Sequence, residues 1–147
     1  MPVRRDLWFH ADAPACTSAR SACSAAKRYG FGVAELLHIT DRESWHEAVR
    51  DGEYRMSTRG VTLEQQGFIH CSLQPQLRAV AELVYGDADD LVVLVIDSGQ
   101  VPAEIRYEAA VPDGERYPHI YGPLPVSAVT DVISVGRDGS GRMILPD

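Results

Sequence analysis

Six consecutive apolar residues, Leu91-Val92-Val93-Leu94-Val95-Ile96, lie between Asp90 and Asp97. Successive side chains of a strand point to opposite faces, so a strand of this kind needs cover on both sides. The run is far shorter than the ~18 residues of a membrane span. It predicts a central strand in a layered domain, with the rest of the chain supplying a layer on each face.

Other segments supply that material. Glu35–Ile39 reads as a first strand. Thr40-Asp41-Arg42-Glu43 fits a capping box, and Trp45, Ala48 and Val49 follow at helical spacing until Gly52. Thr62–Gln66 reads as a helical turn stopped by Gly67, and Phe68–Cys71 as a short strand. Ser72 reads as the cap of a second helix with Pro75 in its first turn and a buried stripe of Leu77, Val80, Ala81 and Val84. Ile105–Ala110 and Thr130–Val135 alternate as strands. The stretch between them is expected to be loop. The order β-α-turn-β-α-β-β-loop-β lacks strict βαβ repetition. It predicts an α+β fold with two main helices and a mixed, mostly antiparallel sheet.

Residues 1–33 differ from the rest. They are rich in Ala, Ser and Arg without sustained period, and hold five basic and two acidic side chains. They are expected to be a disordered extension or a wrongly chosen start, with a targeting segment as the alternative. Residues 34–147 are expected to form one domain. That body carries nine basic and nineteen acidic residues, which argues against an extended nucleic-acid surface. No membrane partner is expected. The three cysteines, Cys16, Cys23 and Cys71, form no disulfide framework, and the expected compartment is the cytoplasm.

The chemistry concentrates in framed histidines. His70 sits in Gly67-Phe68-Ile69-His70-Cys71-Ser72, and His119 in Tyr117-Pro118-His119-Ile120-Tyr121-Gly122-Pro123-Leu124. His38 lies in Leu36-Leu37-His38-Ile39-Thr40. A buried imidazole needs partners for its nitrogens, and three such rings suggest a shared pocket. His70 and the helix start at Ser72 would suit a phosphate or carboxylate, although a helix cap alone explains Ser72. His119 and Tyr121 share a face in extended chain. A strand histidine such as His38 is more often a satisfied core residue. Glu108 shares a face with Arg106, either as an exposed ion pair or as a carboxylate that bonds a sugar hydroxyl. Cys71 should point away from His70 into the core. Histidines with Glu108 suit zinc by ligand type, yet every ligand would come from a different element, and no metal is expected.

The strings around His38, His70 and His119, with Glu53-Tyr54-Arg55, Asp90–Asp97 and Arg106-Tyr107-Glu108, resemble the DUF952 family of small bacterial and plant proteins. More distantly they resemble the ADP-ribosyltransferase superfamily, including its RNA 2′-phosphotransferase branch. That resemblance implies a split, mostly antiparallel sheet binding NAD or a related nucleotide in its cleft. It implies that His38, on the first strand, bonds a ribose. In the reading built on it, His70 and Ser72 receive phosphate and Tyr121 stacks on the base. His119 or Glu108 acts as acid or base in a transferase-type reaction. Two rivals use the same residues: a non-catalytic module binding a small molecule, and a metal-dependent hydrolase. No macromolecular acceptor is named by the sequence.

Overall fold

The computed structural model describes residues 34–146. The expectations for residues 1–33, including Cys16 and Cys23, lie outside the described residues. The apolar run becomes β6 (Leu91–Asp97), flanked on both sides by antiparallel neighbours, β1 (Glu35–Asp41) and β10 (Val129–Ser134). Its side chains divide by parity. Val92, Leu94 and Ile96 join one apolar cluster, with Leu36, Trp45, Ile69, Ile105 and Ile120. Leu91, Val93 and Val95 join the other, with Leu37, Ile39 and the helix α3 (Leu77–Tyr85). Leu77, Ala81 and Tyr85, four residues apart, are the α3 side chains buried there.

The first cluster is closed by a second antiparallel sheet, ordered β5 (Ile69–His70), β8 (Arg116–Ile120), β7 (Ile105–Ala109). The helix α1 (Arg42–Asp51) adds Trp45 and Ala48 to the same cluster. The fold is therefore α+β with antiparallel ladders. The remaining strands form short pairs: β2 (Glu53–Tyr54) with β9 (Leu124–Pro125), β3 (Met56–Thr58) with β4 (Val61–Thr62), and β11 (Gly136–Arg137) with β12 (Met143–Ile144). Among the described residues no helix is long and apolar enough to cross a membrane.

Local signals set the helix ends. Thr62 and Gln65 form a reciprocal capping box on the short helix α2 (Leu63–Gln66), with bonds of 3.2 and 2.8 Å. Gly52 and Gly67 end α1 and α2 at φ of 89° and 95°, a region costly for any residue with a Cβ.

Three local expectations are corrected. The cap of α1 is Asp41, whose Oδ1 accepts the Ser44 N–H at 2.7 Å; Thr40 stays buried in β1. Ser72 caps nothing. Its N–H and C=O pair with Leu37 at 2.7 and 2.8 Å, stitching the two sheets together. The chain then turns through a 3₁₀ segment, Gln74–Gln76, where Gln76 Oε1 accepts the Leu73 N–H at 2.9 Å. Finally, the expected loop holds β8, the middle strand of the second sheet. Proline normally disqualifies a middle strand because it cannot donate to a ladder. Pro118 escapes this by falling just past the last β5–β8 pair, where only its carbonyl is used, by the Cys71 N–H at 2.9 Å.

Candidate functional site

The second sheet has two faces of opposite character. Ile69, Ile105 and Ile120 point into the core. Strand alternation sends His70, Arg106, Glu108, Tyr117 and His119 to the other face. Register aligns Arg106, His119 and His70 in one row across three strands, with Glu108 opposite Tyr117 in the next row.

Glu108 Oε1 is the hub. His119 Nδ1 lies 2.9 Å from it, and the Tyr121 hydroxyl 2.5 Å. A carboxylate only accepts, so His119 carries its hydrogen on Nδ1 and Tyr121 donates. Nε2 is then the basic nitrogen of the neutral ring. His119 is 2 % exposed. Phe68 stacks on it with centroids 4.0 Å apart and 12° between planes. Its ring centroid is 5.4 Å from that of His70, which in turn lies 5.3 Å from Tyr117. The Arg106 guanidinium sits 4.4 Å over the Tyr121 ring and bonds Glu104 at 3.0 Å.

These contacts set the charges. Burial pushes the Glu108 carboxyl up, but the bonds from His119 and Tyr121, with the His119 and Arg106 charges, outweigh it and hold it below its ordinary value. Burial and the bond to Glu108 push the Tyr121 phenol up. Burial first, then the charges of His119 and His38, keep His70 well below the ordinary histidine value. With neutral imidazoles the face holds two carboxylates, Glu104 and Glu108, against one guanidinium.

The structure thus brings together His70, Glu108, His119 and Tyr121. It does not bring the His38 ring among them. His38 Nδ1 lies 2.6 Å from the His70 carbonyl, and Nε2 lies 2.7 Å from the Tyr54 hydroxyl. Both ring nitrogens are therefore satisfied inside the fold. Burial drives its pKa down to about 4, partly opposed by the bond to His70. Nor does Ser72 open an anion cradle. The N–H groups of Ser72, Leu73 and Gln76 are taken by Leu37 O, Gln76 Oε1 and Leu73 O. Cys71 points into the core, fully buried, and burial pushes its thiol up.

Four participants escaped the sequence reading. Phe68 and Tyr117 each lie two residues from a framed histidine, and that spacing could have found them. Arg106 was legible only as a partner of Glu108; its bond to Glu104 was not. Tyr54 meets His38 across 16 residues of sequence, which no local pattern reveals. Among the described residues no three His, Cys, Asp or Glu side chains group as a metal site. A separate pocket of about 280 Å³ lies elsewhere, lined in part by Asp89, Leu91, Arg137 and Met143 and by none of the expected site residues.

The profile of a family described as "Protein of unknown function (DUF952)" matches residues 39–132. No curated protein matches the sequence. The crystal structure of protein CC0527 from Caulobacter crescentus is similar to this one, with a TM-score of 0.65 and 28 % identity over 76 % of this chain and 94 % of that one. Its solution NMR structure aligns at a TM-score of 0.59 and 30 % identity, over 73 % and 89 % of the two chains.

Proposed function

Since the chain belongs to the DUF952 family, whose description assigns no activity, we propose a function from the Glu108–His119–Tyr121 cluster itself. The outer face of the second sheet takes the ribosyl end of an NAD-like nucleotide and promotes transfer at its glycosidic carbon. The fold in this reading is of the ADP-ribosyltransferase kind.

One observation carries the proposal. A single carboxylate oxygen fixes both the imidazole of His119 and the hydroxyl of Tyr121, on a face lined by aromatic rings. Glu108 Oε2 takes neither bond, which leaves it for a ribose hydroxyl. In the reaction the bond from the anomeric carbon to the base nitrogen breaks, and the departing base keeps the electron pair. The carbon gains oxocarbenium character opposite the Glu108 charge. An acceptor hydroxyl or water forms the new carbon–oxygen bond and gives its proton to His119 Nε2. Tyr117, and Tyr121 on the face not covered by Arg106, would stack on a base. The charge of the face favours this end of the ligand: two carboxylates and one guanidinium suit a cationic centre better than a diphosphate. The occupied N–H groups around Ser72 point the same way.

A second reading is a non-catalytic binding module, favoured by the 2 % exposure of His119. Titrating the full chain with NAD and with ADP-ribose, while following base release by chromatography, tests both. Saturable binding with base release that falls about 10²–10⁴-fold in His119→Ala supports the enzyme. Binding without release in the unmodified chain supports the module. No binding of either nucleotide overturns the ribosyl reading.

A further inference from the structure

His38 and Tyr54 form a directed chain of hydrogen bonds that ends on the backbone of the candidate site. A carbonyl oxygen only accepts, so His38 Nδ1 must donate to His70 O, at 2.6 Å. Nε2 of that tautomer accepts, so the Tyr54 hydroxyl must donate to it, at 2.7 Å. His38 and Tyr54 are each at most 3 % exposed, so no solvent competes for these bonds.

The end of the chain matters because of the β5–β8 ladder. Cys71 donates to Pro118 across that ladder. Hydrogen-bonded and non-bonded pairs alternate between antiparallel strands, so His70, opposite His119, is a non-bonded pair. Its carbonyl is turned away from β8, and a buried carbonyl left unmade is costly. His38 supplies the bond that the sheet cannot. β5 itself is only two residues long.

We propose that His38 is a positioning residue: through the His70 carbonyl it sets the orientation of the His70 ring against His119, and it does not touch the ligand. The inference rests on taking the His70–His119 face as the functional site. It assigns the first-strand histidine a structural link in place of ribose contact.

The test uses the full chain with ¹⁵N-labelled imidazoles, without ligand, in three forms: unmodified, His38→Gln and His38→Leu. Glutamine can donate to His70 O and accept from Tyr54; leucine can do neither. In the unmodified chain the His38 ring should be a fixed Nδ1–H tautomer. His38→Gln should keep the His70 and His119 resonances and the ring–ring contact between them. His38→Leu, or Tyr54→Phe if that variant fails to fold, should shift both resonances and lose the contact. Unchanged resonances in His38→Leu or Tyr54→Phe overturn the proposal, as do equal shifts in His38→Gln and His38→Leu. Adding ADP-ribose separates the two levels. A nucleotide that breaks the His38–His70 bond overturns the positioning role. Failure of any nucleotide to bind, with the resonance pattern as expected, overturns only the ribosyl reading.

Discussion

Glu108 Oε1 stands 2.9 Å from His119 Nδ1, joining a half-buried carboxylate on β7 to a buried imidazole on β8. The two residues are not direct partners in register: Glu108 faces Tyr117, and His119 faces Arg106. The diagonal fits an antiparallel ladder, where side chains two positions apart remain within reach. It makes one carboxylate responsible for the tautomer of the histidine and the orientation of Tyr121.

Removing that carboxylate should destabilise the fold in a pH-dependent way. Hydrogen bonds to a charged group contribute about 1.5–3 kcal/mol each, net of the bonds to water they replace. With two such bonds, from His119 and Tyr121, Glu108→Ala should therefore lose about 3 kcal/mol or more at neutral pH in urea unfolding. The Glu108 pKa is depressed in the folded state, so its contribution is present above the unfolded value. It is lost as pH falls below the ordinary value of 4.5 and through the folded one. The gap between the two proteins should close over that acidic range. A gap that persists undiminished at low pH would mean that the charge is not what stabilises.

His38 should make the protein acid-sensitive. Its folded pKa of about 4 lies below the ordinary 6.5, so the unfolded chain binds the extra proton first. Stability is full above pH 6.5 and falls as pH drops toward 4, by about 3 kcal/mol for this group. His70 is depressed in the same direction and adds to the slope. His38→Gln should remove about one proton from the pH dependence of unfolding and leave the share of His70. An unaltered slope would place the titration elsewhere.

Cys71 should be inert in the native protein. It is fully buried, and its thiol is raised by burial, so little thiolate forms at neutral pH. Alkylation at pH 8 followed by peptide mass spectrometry should leave Cys71 unlabelled in buffer and labelled in urea. Native labelling of Cys71 would contradict its place in the core.

Amide exchange should be slowest in β6. Five of its residues, Leu91 to Leu94 and Ile96, are at most 2 % exposed, and both its edges are paired. β10 pairs on one side only, through a register shift between Val129 and Asp131, and should exchange through cheaper local openings. Faster exchange in Leu91–Ile96 than in Val129–Ser134 would be incompatible with this layering.

Local features were legible in the residues alone. The apolar run dictated a strand covered on both faces, and the alternation of Ile105, Arg106, Tyr107 and Glu108 dictated which side chains share a face. Glycines after polar helical turns marked the ends of α1 and α2. Each of these rests on neighbours within a few residues, where backbone geometry and periodicity are read directly. The polar residues of the site were visible too, because a histidine framed by apolar residues is costly to bury without a purpose.

Which partner each polar group received was set by how distant elements pack together. His38 satisfies Tyr54 and the His70 carbonyl, 16 and 32 residues away, and so stays outside the ring cluster that its apolar frame suggested. Ser72 pairs with Leu37 in place of a helix start. Pro118 sits in a middle strand because the ladder beside it ends one residue earlier. Burial obliges every polar group to find a partner, but it does not say which one. That choice depends on which elements fold against each other, and it placed His38 apart from the histidines that line the candidate site.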